Sequence, residues 1–124
     1  MVPQVLIHPE GGHPGEPGLV VGETARGKSF SLNGYGRPTN ARLAEVPGII
    51  SLPNAMSCGT ATAQSLPCMF AGVGRDRSHT MIANEQEGLL DILQRARLSV
   101  LWRDNQAGCK GVCSRVANEN IMPP

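Results

Sequence analysis

Two cysteines, Cys58 and Cys68, bracket the run Gly59-Thr60-Ala61-Thr62-Ala63-Gln64-Ser65-Leu66-Pro67. Small residues, a hydroxyl pair and a glycine predict a tight turn that enters a helix, and a bond between the flanking cysteines would brace that turn. A hydroxyl held rigid at a helix start is a good place to build and stabilise a phospho-intermediate. The plainer role for Thr62 is a helix N-cap, for which threonine is favoured.

The other two cysteines, Cys109 and Cys113, also form a local pair, so the four are arranged as disulfide partners in an oxidising compartment would be. Free thiols are the competing reading. Zinc knuckles usually place two to four residues between paired ligands, and nine and three intervening residues match that poorly as a set. The 124 residues make one domain or part of one. Only Phe30, Tyr35, Phe70 and Trp102 supply large rings, which predicts a small core. The formal charge of +1 and the scattered basic residues give no electrostatic case for nucleic acid. No run approaches the roughly 20 apolar residues of a membrane helix. Residues 1–16 lack the apolar stretch of a signal peptide. Any membrane or export segment is therefore expected outside this chain.

Residues 1–17 read as an irregular Pro/Gly-rich lead-in, in which His8 and His13 are expected to be solvated. Leu19-Val20-Val21 predicts a buried strand ending at Gly22-Glu23-Thr24. A helix is expected from Pro38-Thr39-Asn40 to about Val46, closed by Pro47-Gly48, and Ile49–Leu52 predicts a second strand. A helix from about Thr62 to Phe70 follows, strained or kinked at Pro67. Residues 74–83 read as a loop. Asn84-Glu85-Gln86-Glu87 opens a helix whose apolar face is Leu89, Leu90, Ile92, Leu93 and Ala96, and Leu98–Trp102 predicts a third strand.

Strands alternating with helices argue for an α/β fold with a parallel sheet. Three polar clusters follow the three predicted strands: Glu23-Thr24, Thr60/Thr62, and Asp104-Asn105 with Lys110. In one parallel sheet they would converge on one edge. A carboxylate, a hydroxyl and a lysine brought together suit metal-assisted phosphoryl transfer. Singly, Glu23 could be a surface carboxylate and Lys110 a solvated loop charge.

Longer motifs narrow this. Val20–Arg26, Ser31–Tyr35, Thr39–Leu43, Ser57–Thr62, Ser65–Phe70, Glu87–Asp91 and Trp102–Cys113 resemble, in collinear order, the phosphoethanolamine transferases that modify lipid A. The resemblance covers roughly residues 18–116. It implies the N-terminal part of an alkaline-phosphatase/sulfatase-like α/β/α sandwich with a mostly parallel sheet and zinc at its centre. On the matching motifs, Glu23 resembles a zinc ligand. Thr62 resembles the nucleophile that carries phosphoethanolamine and also faces zinc. Thr60, Gln106 and Lys110 match positions lining the phosphoethanolamine site, and Cys58–Cys68 and Cys109–Cys113 match family disulfides. The resemblance further implies phosphatidylethanolamine as donor and lipid A as acceptor, at the periplasmic face of the bacterial inner membrane. Its physiological consequence would be resistance to cationic peptides such as polymyxin.

The family also carries an N-terminal membrane domain, an Asp-His ligand pair and further active-site histidines, which none of His8, His13 and His79 matches. Residues 18–124 are accordingly read as the N-terminal portion of a catalytic domain. The expectation is that this portion is inactive alone. The alternative is an inactive remnant or a piece that binds phospholipid head groups without turnover.

Overall fold

The computed structural model describes residues 5–7, 18–22 and 25–122. They fall into two units, Met1–Ser57 and Cys58–Pro124. In the first, strand β1 (Val5–Ile7) pairs antiparallel with β2 (Leu19–Val21), Leu6 opposite Val20. Aliphatic and β-branched triplets favour such pairing. β2 is the strand expected from Leu19-Val20-Val21, although Leu19 and Val20 are exposed rather than buried. β1 lies inside the segment read as an irregular lead-in.

Beyond β2, side chains rather than a core tie the chain. The Thr39 hydroxyl donates to the Ser29 carbonyl at 2.6 Å and accepts from the Ser31 amide at 2.9 Å. The Ser31 hydroxyl accepts from the Asn40 amide at 2.9 Å. Asn33 donates to the Gly27 carbonyl and accepts from the Ser51 hydroxyl at 2.8 Å. Thr39 and Asn40, expected to start a helix, are spent on this network, and α1 is a single turn, Ala41–Ala44. Gly48, at φ +75°, turns the chain after it. The strand expected at Ile49–Leu52 does not form: Ile50 is 83% and Leu52 73% exposed, and the Ala55 amide closes a turn onto the Leu52 carbonyl. An extended run becomes a strand only against a ladder partner, and Pro53 removes the next donor.

The second unit holds the core. Helix α2 (Thr62–Phe70) has the bounds expected and runs through Pro67, whose side chain is among the most buried of the described residues. Helix α3 (Ile82–Glu85) packs on α2, and α4 (Leu89–Arg95) follows. The apolar interior collects Leu66, Phe70, Ile82, Leu90, Val112 and Val116. The helix expected to open at Asn84 is thus broken in two. Gln86 is extended at φ −145°, and Gly88 passes so near Phe70 that a Cβ there would sit 2.9 Å from the Phe70 carbonyl oxygen. Tertiary contacts override the local helical preference.

α4 ends in a left-handed Arg97 at φ +68°, with the Leu98 amide reaching back to the Leu93 carbonyl. That turn shifts the third expected strand along the chain: β3 is Leu101–Asp104 rather than Leu98–Trp102. β3 pairs in parallel with β4 (Ala117–Asn120), a strand its polar sequence did not announce. The crossover between them, residues 105–116, is the second cysteine loop rather than a helix. The Trp102 ring meets Phe70 edge-on at 5.7 Å, fixing the sheet to α2. The expected parallel pairing is present in β3–β4. The single sheet carrying all three polar clusters is not, since β2 and β3 belong to separate sheets.

Candidate active site

The turn that carries Thr60 and Thr62 is built from its neighbours inward. Ala61 is extended, and its carbonyl accepts from the Gln64 and Ser65 amides at 3.0 Å each, which starts α2. Thr62 is therefore the first residue of the helix rather than its N-cap. Its side chain is half-buried, while Thr60 is exposed just before it. The Cys58–Cys68 disulfide is formed, with 6.3 Å between Cα atoms. It ties the entry of the turn to the last part of α2 and encloses Thr60 and Thr62 in one covalent loop.

The second cluster sits on the β3–β4 crossover. The Gln106 amide donates to Asp104 Oδ1 at 2.6 Å, which turns the chain out of β3. The Cys109–Cys113 disulfide, 5.8 Å between Cα atoms, closes a tight loop in which the Cys113 amide also donates to Cys109 Sγ at 3.1 Å. Lys110 stands at its apex with φ +52°, in the left-handed region that costs a non-glycine residue roughly 1–2 kcal/mol. Its ammonium donates to the Ala107 carbonyl at 3.2 Å and is otherwise exposed, as Gln106 is. Both cysteine pairs are thus disulfides, not thiols or metal knuckles.

Two charged residues that sequence reading passed over organise this unit. Asp91 is 8% exposed and receives Arg115 Nε at 2.9 Å and Nη2 at 2.7 Å. Arg115 Nη2 also donates to the carbonyls of Ala83 and Gln86, and the Gly88 amide donates to Asp91 Oδ2. The Arg115 hydrogen bonds hold the Asp91 carboxyl below the usual carboxylate range, against the upward push of burial, with the Gly88 amide helping. Asp91 closes the Glu87–Asp91 motif and stands three residues beyond Gly88, a helix-start spacing; neither signal named its partner.

Of the expected site residues, Thr60, Thr62, Gln106 and Lys110 all lie in the second unit. The α2 and crossover segments meet at a small apolar cavity lined by Pro67, Phe70, Ile82, Ala83, Val112 and Arg115. Glu23 and Thr24 lie outside the described residues, as do His8 and His13. His79 pairs with Glu85 at 3.1 Å. Among the described residues no three His, Cys, Asp or Glu side chains cluster as a metal site. The zinc donors expected from the sequence, a Glu23 carboxylate and a Thr62 hydroxyl, are oxygen donors of a kind zinc accepts, but two of the usual four.

Residues 19–123 match the sulfatase family. The chain belongs to it. Within this sulfatase chain, 103 residues are 54% identical to the phosphoethanolamine transferase EptA of Escherichia coli, covering 83% of the chain and 19% of that relative. The lipooligosaccharide phosphoethanolamine transferase A of Neisseria meningitidis is similar in structure. Its soluble domain gives a TM-score of 0.74 at 46% identity over 81% of this chain and 30% of that one. As the integral membrane protein, it gives 0.73 at 47% identity over 79% and 18%. The C-terminal periplasmic domain of EptC from Campylobacter jejuni gives 0.70 at 37% identity, covering 81% and 33%. The chain therefore spans about a fifth of the length of the EptA it matches, and its α/β fold is the sulfatase-like one of these soluble domains. Among its described residues no helix is long and apolar enough to cross a membrane.

Proposed function

We propose that this chain supplies the nucleophile-bearing part of a phosphoethanolamine transferase, which moves phosphoethanolamine from phosphatidylethanolamine to a lipid A phosphate through a covalent Thr62 intermediate. The observation that carries the reading is the placement of Thr62: first in α2, half-buried, inside the Cys58–Cys68 loop. The identity to phosphoethanolamine transferases over most of the chain supports it.

In the first half-reaction Thr62 Oγ bonds to the donor phosphorus and loses its proton. The bond from phosphorus to the diacylglycerol oxygen breaks, and that oxygen takes up a proton. In the second, an oxygen of the acceptor phosphate bonds to the same phosphorus, the bond to Thr62 Oγ breaks, and that oxygen takes up a proton from solvent to restore the hydroxyl. Lys110 places its positive charge, and Gln106 and Thr60 their hydrogen-bonding groups, on the non-bridging phosphate oxygens. Zinc held by Glu23 and Thr62 would lower the pKa of the hydroxyl. The reaction belongs at the periplasmic face of the inner membrane, where both lipids are reached and disulfides persist. Masking an acceptor phosphate there weakens the binding of cationic peptides such as polymyxin.

Two measurements on the full-length protein test the reading. Thr62→Ala should abolish transfer of labelled head group from phosphatidylethanolamine to lipid A, and retained transfer would reject Thr62 as nucleophile. Glu23→Ala should lower bound zinc measured by elemental analysis, and an unchanged zinc content would remove Glu23 from the ligand set.

A further inference from the structure

Lys110 holds a backbone conformation that it would not choose alone, so something around it must enforce it. One constraint is the Cys109–Cys113 bond. The other is the docking of the loop on α3. Gly111, at φ +88°, lies so close that a Cβ there would be 2.6 Å from Asn84 Oδ1 and 3.3 Å from the Ala83 Cβ. Four residues on, Arg115 donates to the carbonyl of that same Ala83. The loop is thus held on α3 at Gly111 and again at Arg115, with Lys110 immediately before the first hold.

Arg115 can serve α3 only because Asp91 anchors it. The carboxylate takes two donors from one guanidinium, a planar fork that lysine cannot reproduce, and leaves Nη2 aimed at the Ala83 and Gln86 carbonyls. Asp91 also takes the Gly88 amide, so the pair joins the end of α3, the start of α4 and the end of the crossover.

We propose that Asp91 and Arg115 are positioning residues for Lys110: they hold the crossover against α3 so that the left-handed Lys110 presents its ammonium to the phosphate of the lipid donor. This rests on the assignment of Lys110 given above, and it adds a role for two residues that need not touch substrate.

A double-mutant cycle in the full-length protein tests it, with the apparent KM for phosphatidylethanolamine and kcat measured separately on folded, disulfide-intact samples. Lys110→Ala should raise KM on the order of tenfold, the effect of losing one charge-assisted hydrogen bond. Arg115→Lys keeps the charge beside Asp91 but loses the fork, and should raise KM in the same direction by roughly threefold to tenfold, with a smaller change in kcat. Added to Lys110→Ala, it should cost nothing further in KM, because no ammonium is left to position. If its effect multiplies that of Lys110→Ala, or if KM is unchanged in the single variant, the positioning role is wrong while the Lys110 assignment stands. If Lys110→Ala leaves KM unchanged, the Lys110 assignment fails and the positioning role with it. Asp91→Glu replaces Arg115→Lys in the same cycle should the latter not accumulate as folded protein.

Discussion

Residues 25–57 and residues 58–122 both carry family motifs, yet they are held by different forces. In the second stretch apolar side chains from three helices and a strand-linked loop close around Phe70, with two disulfides and an ion pair between the buried Asp91 and the exposed Arg115 at the margins. In the first, Gly27 is the one residue fully buried among those described, and the cross-links are hydroxyls and amides: Thr39 to Ser29 and Ser31, Asn40 to Ser31, Asn33 to Gly27 and Ser51. A hydrogen bond at the surface contributes on the order of 1 kcal/mol net, while a buried ring contributes several. The contrast separates two uses of polar motif residues. Around Thr39 they build the backbone's shape. Around Thr62 and Lys110 the core and the two disulfides shape the backbone instead.

If this division holds, the largest stability loss comes from the second unit's centre. Phe70→Ala should cost about 4 kcal/mol in denaturant unfolding of residues 58–122, since it removes a ring 3% exposed and strips Trp102 of its edge-on neighbour. A loss below about 1 kcal/mol would mean that the unit is not organised around that ring.

Replacing Cys58 and Cys68 together by Ser should cost about 2–3 kcal/mol in the chain-entropy model for a loop of this length. Hydrogen exchange should rise first at residues 59–64, and a uniform rise across the unit would show that the bond does not brace the Thr62 turn in particular.

Asp91 gives a pH signature. Its native pKa lies below the unfolded value of about 3.9, so its contribution is fully present above that value. The contribution is lost as pH falls below about 4 through the lower native pKa. Amide protection around Gly88–Leu90 should therefore drop in that window, with Arg115 and the nearby Glu87 as the facing charges. In Asp91→Asn the drop should disappear, and its persistence would place the acid sensitivity elsewhere.

The smallest effect belongs to the first unit. Thr39→Val should cost about 1 kcal/mol, read as faster exchange at the Ser31 amide, with residues 58–122 unaffected.

Much of the second unit was legible because local signals agreed with tertiary ones. α2 begins at the Thr62 turn and ends before Gly72, and the paired cysteine spacings are realised as disulfides. Where the reading departed from the structure, distant residues had overruled local ones. The helix expected at Asn84 is split because Arg115 takes the Ala83 and Gln86 carbonyls and Gly88 is pressed against Phe70. β4 is a strand because β3 offers a parallel ladder, not because Ala117-Asn118-Glu119-Asn120 favours one. Ile49–Leu52 looked like a strand by composition and has no ladder to join among the described residues. For the proposed site, motif positions pointed to Thr62 and Lys110. The pairing of Asp91 with Arg115 had no local signal, because the two partners stand 24 residues apart.

We propose that Thr62, at the first position of α2 inside the Cys58–Cys68 loop, carries the transferred group. Peptide mass spectrometry of the full-length protein, trapped after exposure to phosphatidylethanolamine without acceptor, tests it most directly. The account predicts phosphoethanolamine on Thr62 and no adduct in Thr62→Ala. An adduct on Thr60 or any other residue, or one that survives in Thr62→Ala, would contradict it.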